Sequence, residues 1–292
     1  MKNIIRVIRF IANHPLSKYG LFSGFFKFLS WQILIRLGLI KTVNISKLAY
    51  FKAIKGVVNS SGVYYVKLME YNEMRVLLQY LNSDDTFIDV GANIGTYSIL
   101  LSIYSGCNSH SFEPDLKNFQ LFVENIKLNK LENQVFAYNM AVSDFCGKIG
   151  FTSGKDAISH IDENSKEFVN SIKLDDFFLT NNFSSSVIKI DVEGYENLVI
   201  SGFEKILRNE ARPEIILIEL RGHGENYGYS EKIIFDKLVD FGYKSVEVDF
   251  NNLNTLSIRN SYIKGDHIFI KNSQLFLERL NSGTLKFNLN FS

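Results

Sequence analysis

Phe87-Ile88-Asp89-Val90-Gly91-Ala92-Asn93-Ile94-Gly95-Thr96-Tyr97-Ser98 is the stretch on which the fold turns. It starts as a short apolar strand, bends through two glycines and an asparagine, and continues as an apolar helix to about Tyr104. That is the first half of a βαβ unit. Glycines at 91 and 95 let the backbone approach a ligand closely. The following helix aims its first N–H groups and the positive end of its dipole at the same place. A flat, polar, partly anionic ligand is expected over this turn.

The next acid at the end of an apolar strand is Glu113, 22 residues beyond Gly91 (113 − 91). This spacing suits a carboxylate at the tip of the second strand that accepts hydrogen bonds from two ribose hydroxyls. The turn reads Gly-x-Asn-x-Gly and lacks the middle glycine that admits a pyrophosphate. Asp89 would repel a pyrophosphate but suits an ammonium. A ligand with a ribose, an α-amino group and one carboxylate fits better, and S-adenosylmethionine has all three. The cofactor-binding residues expected are Asp89, Gly91, Asn93, Gly95 and Glu113. The plainer account is an ordinary tight βα connection with a surface glutamate.

A chain of 292 residues that is 46% hydrophobic can bury a full α/β domain with an extension. Abundant Phe (25) and Tyr (14) with scarce Pro (3) argue against a disordered or linker-rich protein. Cys107 and Cys146 lack metal-ligand spacing and read as thiols in a reducing, cytoplasmic compartment, with no disulfide expected. The net charge of +1 hides an asymmetry. Residues 1–69 hold eleven Lys and Arg and no Asp or Glu, leaving 32 − 11 = 21 basic against 31 acidic residues in the remainder. A basic segment of this kind suggests an anionic partner.

Residues 2–13 read as a basic amphipathic helix, with Ile4, Ile5, Ile8 and Ile11 on its apolar face and His14-Pro15 at its end. Arg6 and Arg9 interrupt any signal-peptide core. The apolar run Leu21–Ile40 is broken by Lys27 and Arg36, so it falls short of the roughly 18 uncharged residues of a membrane span. Two readings of residues 1–40 stand: packing on the catalytic domain, or peripheral binding to an anionic membrane surface. Nucleic acid is ranked last as a partner, because the cations alternate with large aliphatics.

Gly56–Gly62 reads as a turn or hinge and 63–66 as a short strand. Asn72 is expected to cap a helix carrying Met74, Leu77, Leu78 and Leu81. Asp115 caps the next helix, with Leu116, Phe119, Val123 and Ile126 on its inner face. Residues 135–140 form the third strand. Ala141-Val142-Ser143-Asp144 follows at its carboxyl end, placing Ala141 and Asp144 to meet an adenine. Residues 153–171, with His160, read as an irregular lid or acceptor loop. Strands at 187–192 and 214–220, a helix capped by Ser230 and ended by Gly242, an outer strand at 246–250 and a last one at 267–271 complete the pattern.

Phe87–Ser98, Phe112-Glu113-Pro114-Asp115 and Lys189-Ile190-Asp191-Val192-Glu193-Gly194-Tyr195-Glu196 occur in order and together resemble the FkbM family of S-adenosylmethionine-dependent methyltransferases. Ile172-Lys173-Leu174-Asp175-Asp176 resembles that family's leucine–aspartate element. The resemblance covers about residues 64–220. It implies a class I methyltransferase, Rossmann-like α/β fold with a seven-stranded sheet ordered 3-2-1-4-5-7-6, strand 7 antiparallel. It also implies O-methylation, often of sugar or polyketide hydroxyls. The domain division expected is a basic, mainly helical extension over 1–63 and a methyltransferase domain over 64–292.

A hydroxyl acceptor needs a base, typically worth about 10²–10⁴-fold. Asp191 and Glu193, at the end of the fourth strand, are the base candidates, with Glu219 on the neighbouring strand as the third. His160 and His223 read as solvated loop histidines. No metal is expected, since no histidine supports Asp191, Glu193 and Glu219 as ligands. Two other classes share parts of this pattern: a nicotinamide-dependent oxidoreductase, and a non-catalytic S-adenosylmethionine-binding module.

Overall fold

The computed structural model describes residues 2–16, 20–152, 160–161, 165–181, 187–210, 212–249 and 255–283. The chain opens with a helical hairpin, α1 (Lys2–Asn13) and α2 (Gly20–Arg36). Their backbones approach so closely that a Cβ on Gly24 would lie 2.9 Å from the Ile8 carbonyl oxygen. A small antiparallel ribbon follows, β1 (Thr42–Asn44) with β2 (Tyr50–Lys52).

Then come α3 (Val58–Val66) and α4 (Tyr71–Tyr80). The turn and strand expected across 56–66 are replaced by a short turn and helix α3. Gly56 alone makes the turn, at φ +89°, and Val58 onward is helical. Tertiary packing overrides the turn-like composition. Ser60 Oγ donates to the Lys52 carbonyl at 2.9 Å, and a Cβ on Gly62 would strike Met69 Sδ at 2.1 Å. Asn72 lies inside α4 rather than capping it, the N-cap position being Glu70. Met74, Leu77, Leu78 and Leu81 are buried as expected.

The sheet begins with β3 (Thr86–Val90), α5 (Thr96–Ser105), β4 (Asn108–Phe112), α6 (Leu116–Leu128) and β5 (Val135–Tyr138). Asp115 caps α6, accepting from the N–H groups of Lys117 and Asn118. Of the expected inner face of α6, Ile126 is buried, Phe119 and Val123 are half-buried and Leu116 is exposed; Leu121, Phe122 and Asn125 are buried in addition. Phe122 is drawn in because Gly95 leaves room for its ring, and Asn125 because its amide donates to the Ile94 carbonyl at 3.0 Å.

A second, small sheet follows: β6 (Ala141–Val142), β7 (Gly147–Thr152), β8 (His160–Ile161) and β9 (Phe168–Ile172), in the order β6-β9-β7-β8. Most of the expected 153–171 loop lies outside the described residues, but its last residues belong to strand β9. The main sheet resumes with α7 (Leu174–Asn181), β10 (Val187–Ile190), α8 (Glu196–Ser201), α9 (Glu204–Leu207) and β11 (Ile215–Leu220). It ends with α10 (Lys232–Asp240), β12 (Lys244–Val248), β13 (Leu256–Ile258), β14 (Gly265–Ile270) and α11 (Ser273–Ser282).

The main sheet runs β13-β12-β14-β11-β10-β3-β4-β5. Neighbours from β5 to β11 are parallel, and β14 inserts antiparallel between β11 and β12. This is the 3-2-1-4-5-7-6 order, with β13 added as an eighth, edge strand. Alternate residues of the central strands feed two cores. Phe87, Val187, Ile215 and Leu217 join one, and Ile88, Val90, Ile188, Ile190, Ile216 and Ile218 join the other. Such burial on both faces is what a parallel sheet covered by helices requires. Ile11, Trp31, Val43 and Phe51 belong to the first core together with Leu77 and Phe87. Residue 63, where the sequence suggests a division, lies within α3.

Candidate active site

The β3–α5 turn fixes the geometry of the site. Gly91 sits at φ +86°, and a Cβ there would lie 1.8 Å from the Asp191 carbonyl oxygen at the end of β10. Gly95, at φ +83°, has a Phe122 ring carbon 2.0 Å from where its Cβ would be. Only glycine meets both demands.

The N–H groups of the turn are spent within it. Gly91 and Ala92 donate to the Phe112 carbonyl, Asn93 to Glu113, Ile94 to Asn93 Oδ1, and Gly95 to the Ala92 carbonyl. The donors that the sequence assigns to a ligand belong to the helix that follows; these five, ahead of it, close the turn. A pyrophosphate finds no nest of amides in it.

A cavity of about 270 Å³ opens above the turn, lined among others by Asp89, Gly91, Asn93, Glu113, Ala141 and Lys189. Asp89 is buried. Its Oδ2 accepts from Ser98 Oγ at 2.5 Å, and its Oδ1 has no hydrogen-bond partner. Burial raises its pKa. An orphaned buried carboxylate oxygen at a cavity wall calls for a cation or donor there. Glu113 accepts one backbone N–H on each oxygen, Asn93 on Oε2 at 2.7 Å and Asp115 on Oε1 at 2.9 Å. A carboxylate has about four acceptor sites, so two remain for hydroxyls. Burial pushes Glu113 up to about 7. Ala141 lines the cavity, whereas Asp144 is exposed and does not.

At the ends of β10 and β11 the cavity wall is acidic: Asp191, Glu193 and Glu219 all line it. Sequence reasoning missed the cations among them. Lys189 Nζ lies 2.8 Å from Asp191 Oδ2 and 5.1 Å from the centre of the Tyr97 ring. Burial opposes its charge, but Asp191, Asp89 and Glu70 more than offset this and hold the ammonium above its ordinary value. Burial likewise works against Asp191, yet Lys189 keeps it below the usual carboxylate range. Burial, then the charge of Asp191, push Glu219 up to about 9. Glu193 is also raised, by burial first and Asp191 second.

Arg221 bridges Glu219 and Asp266, at 2.6 Å to each. His223 Nδ1 lies 2.9 Å from Glu193 Oε2 and 3.9 Å from Glu219 Oε2. The loop bearing His223 is tied down by Glu231, which accepts from the N–H groups of Gly222 and Gly224. Glu193, Glu219 and His223 are therefore a set whose ligand atoms could hold a metal, lying within 4.8 Å of one another. His223, four residues after Glu219 and read from sequence as a solvated loop histidine, is the residue that joins these acids. His223 and Lys189 carry no local signal beyond their strand and loop positions. Glu70, whose Oε2 accepts from the Tyr97 hydroxyl at 2.6 Å, carries none either.

The sheet order, the glycine-walled turn and the ribose-ready carboxylate define a class I S-adenosylmethionine-dependent methyltransferase. The residues present fit that cofactor: Asp89 Oδ1, without a partner, would take the ammonium, and the open acceptor sites of Glu113 would take ribose hydroxyls. A family model described as the methyltransferase FkbM domain matches residues 89–245, more than half of the chain, and the chain belongs to this family. It is similar to the hexuronic acid methyltransferase AglP of Haloferax volcanii, 26% identical over 183 residues, which span 61% of this chain and 75% of that protein. A shorter likeness, 38% identical over 65 residues, links it to a tRNA(Phe) (4-demethylwyosine(37)-C(7)) aminocarboxypropyltransferase of Pyrococcus horikoshii, covering 22% of this chain and 23% of that one. Among solved structures, M. capricolum TrmK in complex with S-adenosyl-homocysteine is 12% identical, covers 68% of each chain and has a TM-score of 0.40. Neither the oxidoreductase nor the non-catalytic alternative is favoured by these likenesses.

Proposed function

We propose that the protein transfers a methyl group from S-adenosylmethionine to a hydroxyl oxygen of a sugar or glycan. The observation that carries this reading is the acidic end of the cavity, where Glu193 meets His223 at 2.9 Å. The bound cofactor supplies an activated sulfonium methyl. The chain's own task is to hold the acceptor in line and take its proton.

Three acids are available and their environments divide them. Asp191 is ion-paired with Lys189 and held below the usual range, which makes it a weak base. Glu219 is engaged by Arg221 at 2.6 Å, which leaves it to hold the wall in place rather than to take the proton. Glu193, raised and lining the cavity, is the base, with His223 fixing its carboxylate. The acceptor hydroxyl would lose its proton to Glu193 as its oxygen bonds the methyl carbon and the methyl–sulfur bond of the cofactor breaks, with S-adenosyl-homocysteine as the leaving group.

A carboxylate acceptor would need no base and would meet the charges of Asp191 and Glu193, so a neutral hydroxyl suits this wall better. A sugar acceptor is supported by the likeness to a hexuronic acid methyltransferase. The test is transfer of labelled methyl to sugar acceptors by the wild type and Glu193→Gln. Full turnover by Glu193→Gln at neutral and mildly acidic pH would place the base elsewhere.

A further inference from the structure

The α1–α2 hairpin keeps large apolar side chains in solvent. Along α2, Phe22, Phe25, Phe26, Leu29 and Ile33 are all exposed, Phe22 to 80%. Their spacing of three or four residues puts them in one stripe. The opposite side of the helix is committed inward. Trp31 is buried against Tyr64, ring centres 5.2 Å apart, and Lys27 Nζ donates to the Tyr65 carbonyl at 2.9 Å. Ile4 and Ile5 of α1 are exposed as well. An apolar stripe of this size on a folded surface marks an interaction site.

The charge beside the stripe is positive. Arg36 lies on the stripe's side of α2 and is exposed, and Lys41 just beyond the helix is exposed too. No acidic residue occurs before Glu70. No helix among the described residues is long and apolar enough to cross a membrane. Apolar insertion combined with a basic, acid-free flank matches the interface of an anionic bilayer, with phosphate headgroups against Arg36.

We propose that the α1–α2 hairpin docks the protein peripherally on an anionic lipid surface. α3 connects this surface to the site. Its Tyr64 and Tyr65 receive α2, and its Val58, Asn59 and Val63 line the cofactor cavity. The proposal does not depend on which acceptor is methylated.

The test is flotation of the full chain with phosphatidylglycerol–phosphatidylcholine vesicles and with pure phosphatidylcholine vesicles. The protein is expected to float with the first, less so as salt rises, and to stay behind with the second. Phe22→Ser/Phe26→Ser should abolish flotation. Arg36→Gln should lower the partition coefficient about fivefold, the equivalent of about 1 kcal/mol for one cation. All of these positions are exposed, so melting temperature and S-adenosyl-homocysteine affinity should stay at wild-type values. That also keeps failure here separate from failure of the methyl-transfer reading. Equal flotation with neutral vesicles, or equal flotation of wild type and Phe22→Ser/Phe26→Ser, would overturn the proposal. So would failure to float together with a concentration-dependent dimer that the double variant dissolves; the stripe would then belong to a second copy of this chain.

Discussion

Glu113 reaches back to the turn ahead of it: its Oε2 accepts the Asn93 N–H at 2.7 Å, while Asn93 itself sits at φ +52°. One carboxylate thus locks the turn and keeps acceptor sites that would be open to ribose hydroxyls.

That double duty predicts a pH dependence. Burial pushes Glu113 up to about 7 from an ordinary value of 4.5. Between these values the folded chain keeps a proton that the unfolded chain has lost. Its contribution to stability is therefore full below about pH 4.5 and is lost as pH rises through about 7. Ribose hydroxyls donate to the ionised form, so ligand binding should expel the proton. S-adenosyl-homocysteine affinity should rise between about pH 6 and about pH 8, with proton release visible by calorimetry in buffers of different ionisation enthalpy. Glu113→Gln should flatten that profile, and Glu113→Ala should weaken binding by on the order of 1.5–3 kcal/mol. Unchanged affinity would remove Glu113 from the ribose.

Gly91→Ala should destabilise the protein beyond the roughly 1–3 kcal/mol of left-handed backbone strain. The added Cβ would lie 1.8 Å from the Asp191 carbonyl oxygen, forcing β3 and β10 apart. Gly38→Ala is the control, since Gly38 is also left-handed at φ +68° but a Cβ there meets nothing within 4 Å. Urea unfolding of the two variants should show the larger loss for Gly91→Ala. Equal losses would mean that the close approach relaxes at no cost.

Lys189→Met should cost about 1.5–3 kcal/mol, because it takes the cation from buried Asp89 and from half-buried Asp191, which the cavity partly solvates. The pair is tight, at 2.8 Å, with the lysine side chain only 7% exposed. Lys189→Met/Asp191→Asn should recover part of the loss in the same unfolding experiment. Additive losses would show that the two side chains do not stabilise each other.

The parts of the site legible in the sequence are those fixed by local geometry. The turn from Asp89 to Gly95 and the acid at Glu113 follow from one strand–turn–helix–strand unit, so spacing alone finds them. Lys189, Glu70 and His223 reach the cavity only through sheet pairing and loop closure, and no periodicity announces them. Residues 58–66 were misleading for a different reason. Asn59-Ser60-Ser61-Gly62 has turn chemistry, yet Ser60 is satisfied by the Lys52 carbonyl and Gly62 makes room for Met69, so the helix survives. On α6, the aliphatic pattern suggested a face through Leu116 and Phe119. The packed face follows Phe122 and Asn125, because both support the glycine turn across from them.

His223→Ala and Glu193→Gln should each leave S-adenosyl-homocysteine affinity unchanged while lowering kcat, Glu193→Gln by about 10²–10⁴-fold if Glu193 is the sole base. His223→Ala should have the smaller effect, since it loosens the carboxylate without removing it. Steady-state kinetics beside calorimetry separates the two roles. Loss of cofactor affinity in either variant would move these side chains from the acceptor to the cofactor.

The most direct test of the account is the bond that the transferred methyl group forms. Hexuronic-acid-containing glycans and neutral sugars would be incubated with the protein and S-adenosylmethionine labelled in its methyl group, and the products subjected to mild base. The account predicts a label that survives base as a methyl ether on a hydroxyl oxygen and that is strongly reduced with Glu193→Gln. A label released by base as a methyl ester, carried on nitrogen, or absent from every sugar acceptor would contradict it.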